Sequence, residues 1–290
     1  VGNEGGGLMP GTVEITYKGA GFTTVANGAG VVALEGVWDT PDLRTADVDR
    51  ARAHGQWAGV DLLGGRAITA TVQLAVPHPN EASWSVLQTA LRPTGDESPL
   101  AITLSGFAGG NQVVANARVR RVNIPVDIDR YQFGYPQATV EWWCTDPRFY
   151  ASTETTDSVS VSSPTGLGLT FDATFDLEFG GPIPSGVINT TNNGNFAAPW
   201  VVEFEGPVLN PRIESVTEGK TLEFDGIVNA GQTLRIDSLA RTATLDGASR
   251  YSWLQPGSQW PELVPGANQF RLIAAAGEGL ATLTYRSAWI

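Results

Sequence analysis

Residues 140–152, VEWWCTDPRFYAS, carry two adjacent tryptophans, the single cysteine and an Asp-Pro step. Read as a strand, the stretch points Val140, Trp142 and Cys144 one way and Glu141, Trp143 and Thr145 the other. Both faces are then aromatic, and both need cover. Asp146-Pro147 breaks the ladder, because proline has no N–H to donate and biases the residue before it away from helix. The composition changes at once: STETTDSVSVSSPTG, residues 152–166, is almost all Ser, Thr and acid. A last strand followed by a polar tract is the signature of a domain boundary. The expected organisation is an N-terminal domain over residues 1–151, a connector over 152–164 and a C-terminal domain over 165–290. Of the two tryptophans, one should face the core and the other a helix, a loop or another subunit. Trp142 and Trp143 are therefore the candidate interface residues.

Period-two alternation bounded by glycine and proline turns runs outward from this stretch. In RAITATVQLAVP, Ile68, Ala70, Val72, Leu74 and Val76 share one face, and Thr69, Thr71 and Gln73 the other. TVEITY sets Val13, Ile15 and Tyr17 against Glu14 and Thr16. The alternation slips by one residue at Arg120–Arg121, which predicts a β-bulge or a change of partner strand. One segment departs from strand periodicity: Asn80 as N-cap, Trp84, Leu87 and Leu91 at spacings of three and four, and Pro93 as a stop predict a short helix over 81–91. Residues 45–54 lack an apolar stripe and read as a loop with at most one helical turn. GAGFTTVANGAG, residues 19–30, has neither dinucleotide spacing nor a following helix and reads as a flexible loop. Beyond the connector, Leu167, Leu169, Phe171, Phe175, Leu177 and Phe179 alternate, and WVVEFEGP, TLEFDG, QTLRIDS, RTATLDG, FRLIAA and LATLTYRSAWI follow between turns. Short strands without a helix predict a β-sandwich. The fold class is mainly β, with one short helix in the N-terminal domain.

The 290 residues carry a formal charge of −12, with two Lys (Lys18 and Lys220) among 18 basic residues. Phosphate binding requires a concentrated basic surface. The densest basic cluster, Arg118, Arg120 and Arg121, reads as the solvated face of a strand, so no specific nucleic-acid binding is expected. One cysteine makes no internal disulfide, and two His (His54 and His78) with one Cys fall short of a zinc site. The N-terminal VGNEGGGLMPG has neither the basic region nor the apolar core of a signal peptide. The longest uncharged run, Phe179–Val202, is broken by Gly, Pro and Asn, so no membrane span is expected.

Catalytic patterns are sparse. There is no Gly-x-Ser-x-Gly elbow, phosphate loop or His-Glu-x-x-His. His54 and His78 read as loop histidines without a nucleophile or orienting carboxylate. Glu203 and Glu205 share a strand face, and Glu223 on a neighbouring strand would complete a glycosidase-like carboxylate pair, although any acidic sandwich exposes glutamates in this way. Asp172, Asp176 and Glu178 lack the oxygen-rich loop of a calcium site. Catalytic, cofactor and metal residues are therefore all expected to be none.

The ordered segments resemble the distal tail protein family of siphophages, also known as minor tail proteins. RAHGQWAGVDLLGGRAITATVQL, residues 52–74, resembles the family's loop-then-strand segment, and VEWWCTDPRFYAS resembles the strand and Asp-Pro step that end its N-terminal belt domain. GLGLTFDATFDLEFGG, NNGNFAAPWVVEFEGPVLNP and ELVPGANQFRL resemble its C-terminal galectin-like sandwich. The resemblance implies a homohexameric ring joining tail tube to tail tip or baseplate, without enzymatic activity. It implies the tail tube protein and tip, hub or fibre proteins as partners, and a place in the virion tail after assembly in the host cytoplasm. Two alternatives stand beside it. One is a carbohydrate-binding sandwich with Trp200, Trp253 and Trp260 as stacking platforms. The other is a glycan hydrolase using the glutamates above.

Overall fold

A computed structural model of the chain describes residues 12–23, 29–74, 88–125, 137–161 and 186–290. The chain divides into two compact units, residues 1–152 with Ile290, and residues 153–289.

In the first unit, alternating residues form β1 (Val13–Tyr17), β2 (Ala20–Thr23), β3 (Ala29–Glu35), β4 (Leu43–Arg44), β5 (Val48–Asp49), β6 (Gln56–Trp57), β7 (Leu62–Leu63), β8 (Arg66–Leu74), β9 (Ser98–Leu104), β10 (Val113–Asn123), β11 (Gln137–Cys144) and β12 (Phe149–Ala151). The main sheet runs β2-β1-β9-β10-β11-β8-β3, with β12 on β10. Neighbouring strands are antiparallel throughout. β2 and β3, at the two ends of this order, come into contact, so the sheet curls around its apolar face. That face carries Ile15, Tyr17, Phe22, Ile68, Val72, Leu100, Ile102, Val119, Val140 and Trp142, all buried. The Tyr17 and Trp142 rings meet edge to face at 5.9 Å, and Tyr17 Oη donates to Ala117 O at 3.2 Å. Burying such side chains stabilises by about 1.5–3 kcal/mol each, so this face holds the sheet together.

The slip at Arg120 is a bulge: Val119 pairs with Trp142 and Arg121 with Glu141, which leaves Arg120 as the extra residue. The Asp146-Pro147 step is a jog rather than an end. β11 lies along Arg118–Asn123 of β10, and after the step β12 resumes on the same edge at Val113 and Val114. Of the helix expected over 81–91, residues 88–90 are helical and Leu91 is buried; 81–87, with Trp84 and Leu87, lie outside the described residues. Residues 19–30 are not simply a loop, because β2 and the start of β3 occupy them, with 24–28 outside the described residues.

The second unit is a sandwich formed by β13 (Thr155–Ser160), β14 (Val187–Asn192), β15 (Trp200–Glu205), β16 (Val208–Ser215), β17 (Lys220–Glu223), β18 (Ile227–Val228), β19 (Thr233–Asp237), β20 (Thr242–Leu245), β21 (Ala248–Ser249), β22 (Gly266–Gly277) and β23 (Leu280–Tyr285). One sheet is β13-β23-β15-β19-β20-β21; the other is β14-β22-β16-β17 with β18 on β16. Trp200 and Phe204 from the first meet Ile213, Phe270 and Leu272 from the second in the core, with Trp200 edge-on to Phe270 at 6.1 Å. Residues 155–160 correct the reading of 152–164 as a connector. They pair with Leu280–Tyr285 in full register, and Ser158 Oγ lies 2.9 Å from Thr282 Oγ1. Their polarity is that of an edge strand. Leu167, Leu169, Phe171, Phe175, Leu177 and Phe179 lie outside the described residues.

Candidate functional site

The part of the first unit least explained by its own packing is the segment between β3 and β8. These strands pair with each other, Glu35 with Thr69 and Leu34 with Ala70, so everything from Gly36 to Gly65 is an insertion at the end of one hairpin. The insertion is itself a two-stranded arm. Leu43 and Arg44 pair with Leu63 and Leu62, and Val48 and Asp49 pair with Trp57 and Gln56. Residues 45–54, expected to be a loop with at most one helical turn, contain no helix and include β5.

Polar contacts shape the arm. Asp47 Oδ1 accepts from Gly59 N at 2.8 Å, Asp49 Oδ1 accepts from Gln56 Nε2 at 2.8 Å, and the Arg50 guanidinium lies over the Trp57 ring at 4.5 Å. The two sides approach so closely that a Cβ on Gly59 would fall 2.2 Å from Ala46 O. The arm has no core of its own. Every residue from 42 to 62 is exposed, including Leu43, Val48, Val60 at 69% and Trp57 at 64%. Trp38 at the base is 64% exposed, although its ring meets Phe107 edge-on at 5.2 Å. His54 lies at the exposed tip, and His78 lies outside the described residues.

The root of the arm is fixed by a buried cation. Arg66 Nη1 donates to Gly36 O at 2.6 Å, Asp39 O at 2.8 Å and Val37 O at 3.2 Å, and Nε donates to Pro147 O at 2.9 Å. The guanidinium also lies 4.8 Å from the centre of the Phe149 ring. Burial lowers the Arg66 pKa, because removing water disfavours the charged form. Backbone carbonyls, rather than a carboxylate, supply its hydrogen bonds. Gly36, at φ +85°, is needed here, since a Cβ would sit 2.0 Å from Ala67 O. The sequence reading missed Arg66, yet the signal was present: it shares the parity of Ile68, Ala70 and Val72, the buried face of β8.

The expected interface tryptophans separate. Trp142 is fully buried in the core of its own unit, which corrects its assignment as an interface residue. Trp143 points to the other face and is half-buried under the Arg120 guanidinium at 4.1 Å; a Cβ on Gly65 would come within 2.5 Å of its ring. Cys144 is buried, and that burial pushes its thiol pKa up to about 12.

In the second unit, Trp200 is also corrected. It is 1% exposed, and its Nε1 donates to Pro261 O at 3.0 Å, so its ring has no free face for a sugar. Trp253 and Trp260 are half-buried, Trp253 against Gly226, where a Cβ would come within 2.3 Å of the ring. The carboxylate pair is not assembled. Glu203 and Glu205 lie on β15 and Glu223 on β17, in different sheets; Glu203 pairs with Arg235 at 2.7 Å and Glu223 with Arg212 at 3.2 Å. Asp172, Asp176 and Glu178 lie outside the described residues, and no metal-binding cluster occurs among the described ones. No described helix is long and apolar enough to cross a membrane.

Comparison with known proteins gives the arm and the sandwich a setting. Residues 193–289 match the family described as "Siphovirus-type tail component, C-terminal domain". The SPP1 Dit protein, described as "a paradigm of hub adsorption apparatus in Gram-positive infecting phages", is 13% identical, and the match covers 96% of this chain and 99% of that one with a TM-score of 0.63. A chain of the phage P2 baseplate in its activated conformation with Ca is 9% identical over 95% of this chain and 98% of that one, with a TM-score of 0.48. No curated protein matches. Residues 193–289 of the second unit therefore match the C-terminal domain of the siphovirus-type tail component family, and the chain shares its fold with the SPP1 Dit protein.

Proposed function

We propose that the protein is a structural, non-enzymatic distal tail protein that assembles through its first unit into a homohexameric ring. The observation that carries this reading is the arm. A two-stranded hairpin is at best marginally stable alone in water, and this one presents Leu43, Val48, Trp57, Val60 and Leu62 to solvent. An ordered ribbon without a core gains stability by laying its apolar side chains on another surface. In a cyclic assembly that surface is the neighbouring copy, and an arm on one side with a receiving surface on the other is a heterologous contact that closes into a ring. The similarity to SPP1 Dit supports a tail-hub role. On this reading the tail tube lies on one side, tip, hub or fibre proteins on the other, and the protein acts in the virion tail after assembly in the host cytoplasm.

Native mass spectrometry of the full chain tests the proposal. The expected species has six times the 30.7 kDa subunit mass. The Trp57→Ser, Leu62→Ser double variant is expected to remain folded and run as a monomer. A wild-type chain that stays monomeric at high concentration would overturn the ring, and a double variant that still forms hexamers would remove the arm as its cause.

A further inference from the structure

A second built surface lies within the sandwich, on the outer side of the β14-β22-β16-β17 sheet. There an open cleft of about 460 Å³ is lined by Asn210, Arg212, Glu223, Asp225, Gln255 and Ile273, with Ala275 of β22 beside Ile273 as floor. It arises where the chain leaves one partner for another. Arg212 pairs across β16 with Glu223 on one side and Ile273 on the other. After Glu223 the chain departs from β16: Phe224 N still donates to Pro211 O at 3.0 Å, but Asp225 N donates to Trp253 O at 2.8 Å. Asn210, in the left-handed region at φ +48°, ties the far end by donating from N to Gly226 O at 2.8 Å and accepting from Gly226 N at Oδ1 at 3.0 Å. Gln255 N donates to Glu223 O at 2.9 Å, and Glu223 N donates to Ser258 Oγ at 3.1 Å. The walls are therefore pinned by main-chain bonds together with Asn210 Oδ1 and Ser258 Oγ, while Arg212, Glu223, Asp225 and Gln255 line the opening.

We propose that this cleft binds a neutral saccharide. Its volume lies within the range of small-molecule sites, about 300–1,000 Å³. The lining mixes cationic and amide donors with carboxylate acceptors in one small space. A hydroxyl group both donates and accepts, so a polyhydroxylated ring satisfies both kinds of partner at once. The apolar C–H face of such a ring fits the small floor of Ile273 and Ala275. Charge disfavours anionic ligands. Arg212 Nε lies 3.2 Å from Glu223 Oε1, close enough for an ion pair but too poorly aligned for a hydrogen bond, and the guanidinium also stands 3.9 Å from Glu214. With its one cation paired and Asp225 adding a further acid, the cleft disfavours phosphorylated or acidic sugars. An apolar ligand would strip water from Asp225 and from the Arg212–Glu223 pair without replacing its hydrogen bonds.

The test is saturation-transfer difference NMR on the full chain, with glucose, galactose, N-acetylglucosamine, rhamnose and their disaccharides as probes and glucuronate as the anionic comparator. At least one neutral sugar is expected to bind in the micromolar to millimolar range. Glu223→Gln and Arg212→Leu, both at partly exposed positions, are expected to keep the wild-type circular dichroism spectrum and to weaken binding by about tenfold or more, the loss of one hydrogen bond to a charged group. No signal from any neutral probe would overturn the proposal, as would equal binding of glucuronate or unchanged affinity in both folded variants. Ring assembly is read separately by mass, so either result leaves the other standing.

Discussion

The arm over residues 36–65 and the sandwich over 153–289 are both made of short antiparallel strands, yet they treat apolar side chains in opposite ways. In β15, Trp200, Val202 and Phe204 turn inward against a second sheet while Glu203 and Glu205 face outward. In the arm, Leu43, Val48, Trp57 and Leu62 stay exposed, although the Arg50 guanidinium lies over the Trp57 ring. Alternation alone does not make a strand self-sufficient. A second layer does, and the arm has none.

The largest expected effect separates the two regions by the same substitution. Trp200→Ala should destabilise the second unit by about 3–5 kcal/mol, as truncation of a fully buried aromatic does, while Trp57→Ala should change monomer stability by less than about 0.5 kcal/mol. Urea denaturation of the two variants measures this, and similar losses would break the contrast. A smaller effect is expected at the arm's root. Arg66→Ala leaves the carbonyls of Gly36, Val37, Asp39 and Pro147 without their donor. It should cost about 1–3 kcal/mol and speed proteolytic cleavage within residues 38–62, and unchanged cleavage would mean that the arm is held by something else.

The smallest effect depends on pH. Burial is the main reason the Cys144 thiol is raised from 9.0 to about 12; Glu97 and Asp146 add to the shift and Arg66 opposes it. The folded thiol therefore keeps its proton where the unfolded one loses it. Its contribution to stability is full below the ordinary thiol value and declines as pH rises towards 12. Between about pH 8 and about pH 10, the stability of wild type relative to Cys144→Ala should fall by about 1 kcal/mol. A pH-independent difference would place Cys144 in a wetter setting than its burial implies.

Where strands were long, the sequence carried their inward faces plainly: Ile68, Ala70 and Val72, or Val140 and Trp142, are buried as their parity requires. The bulge at Arg120 was legible for the same reason. The arm was not, because its rungs are two residues each, too short to display a period, and its apolar residues answer to no face of their own unit. Thr155–Ser160 read as linker because an edge strand is polar where it meets water and pairs through main chain. Trp200 shares parity with Val202 and Phe204, so its burial was visible in WVVEFE once stacking was set aside. The separation of Glu203 from Glu223 was beyond periodicity, which gives a strand's face but not the sheet it joins.

The arm's place in the topology has an evolutionary consequence. Because β3 and β8 are hydrogen-bonded neighbours, the whole insertion begins and ends at adjacent points, held by Gly36 and Arg66. Adding or removing rungs changes the closure entropy of that insertion only slowly with length and leaves the sheet's register untouched. Reach can therefore be altered by insertions and deletions in one stretch of gene while the scaffold beneath it evolves under separate constraints.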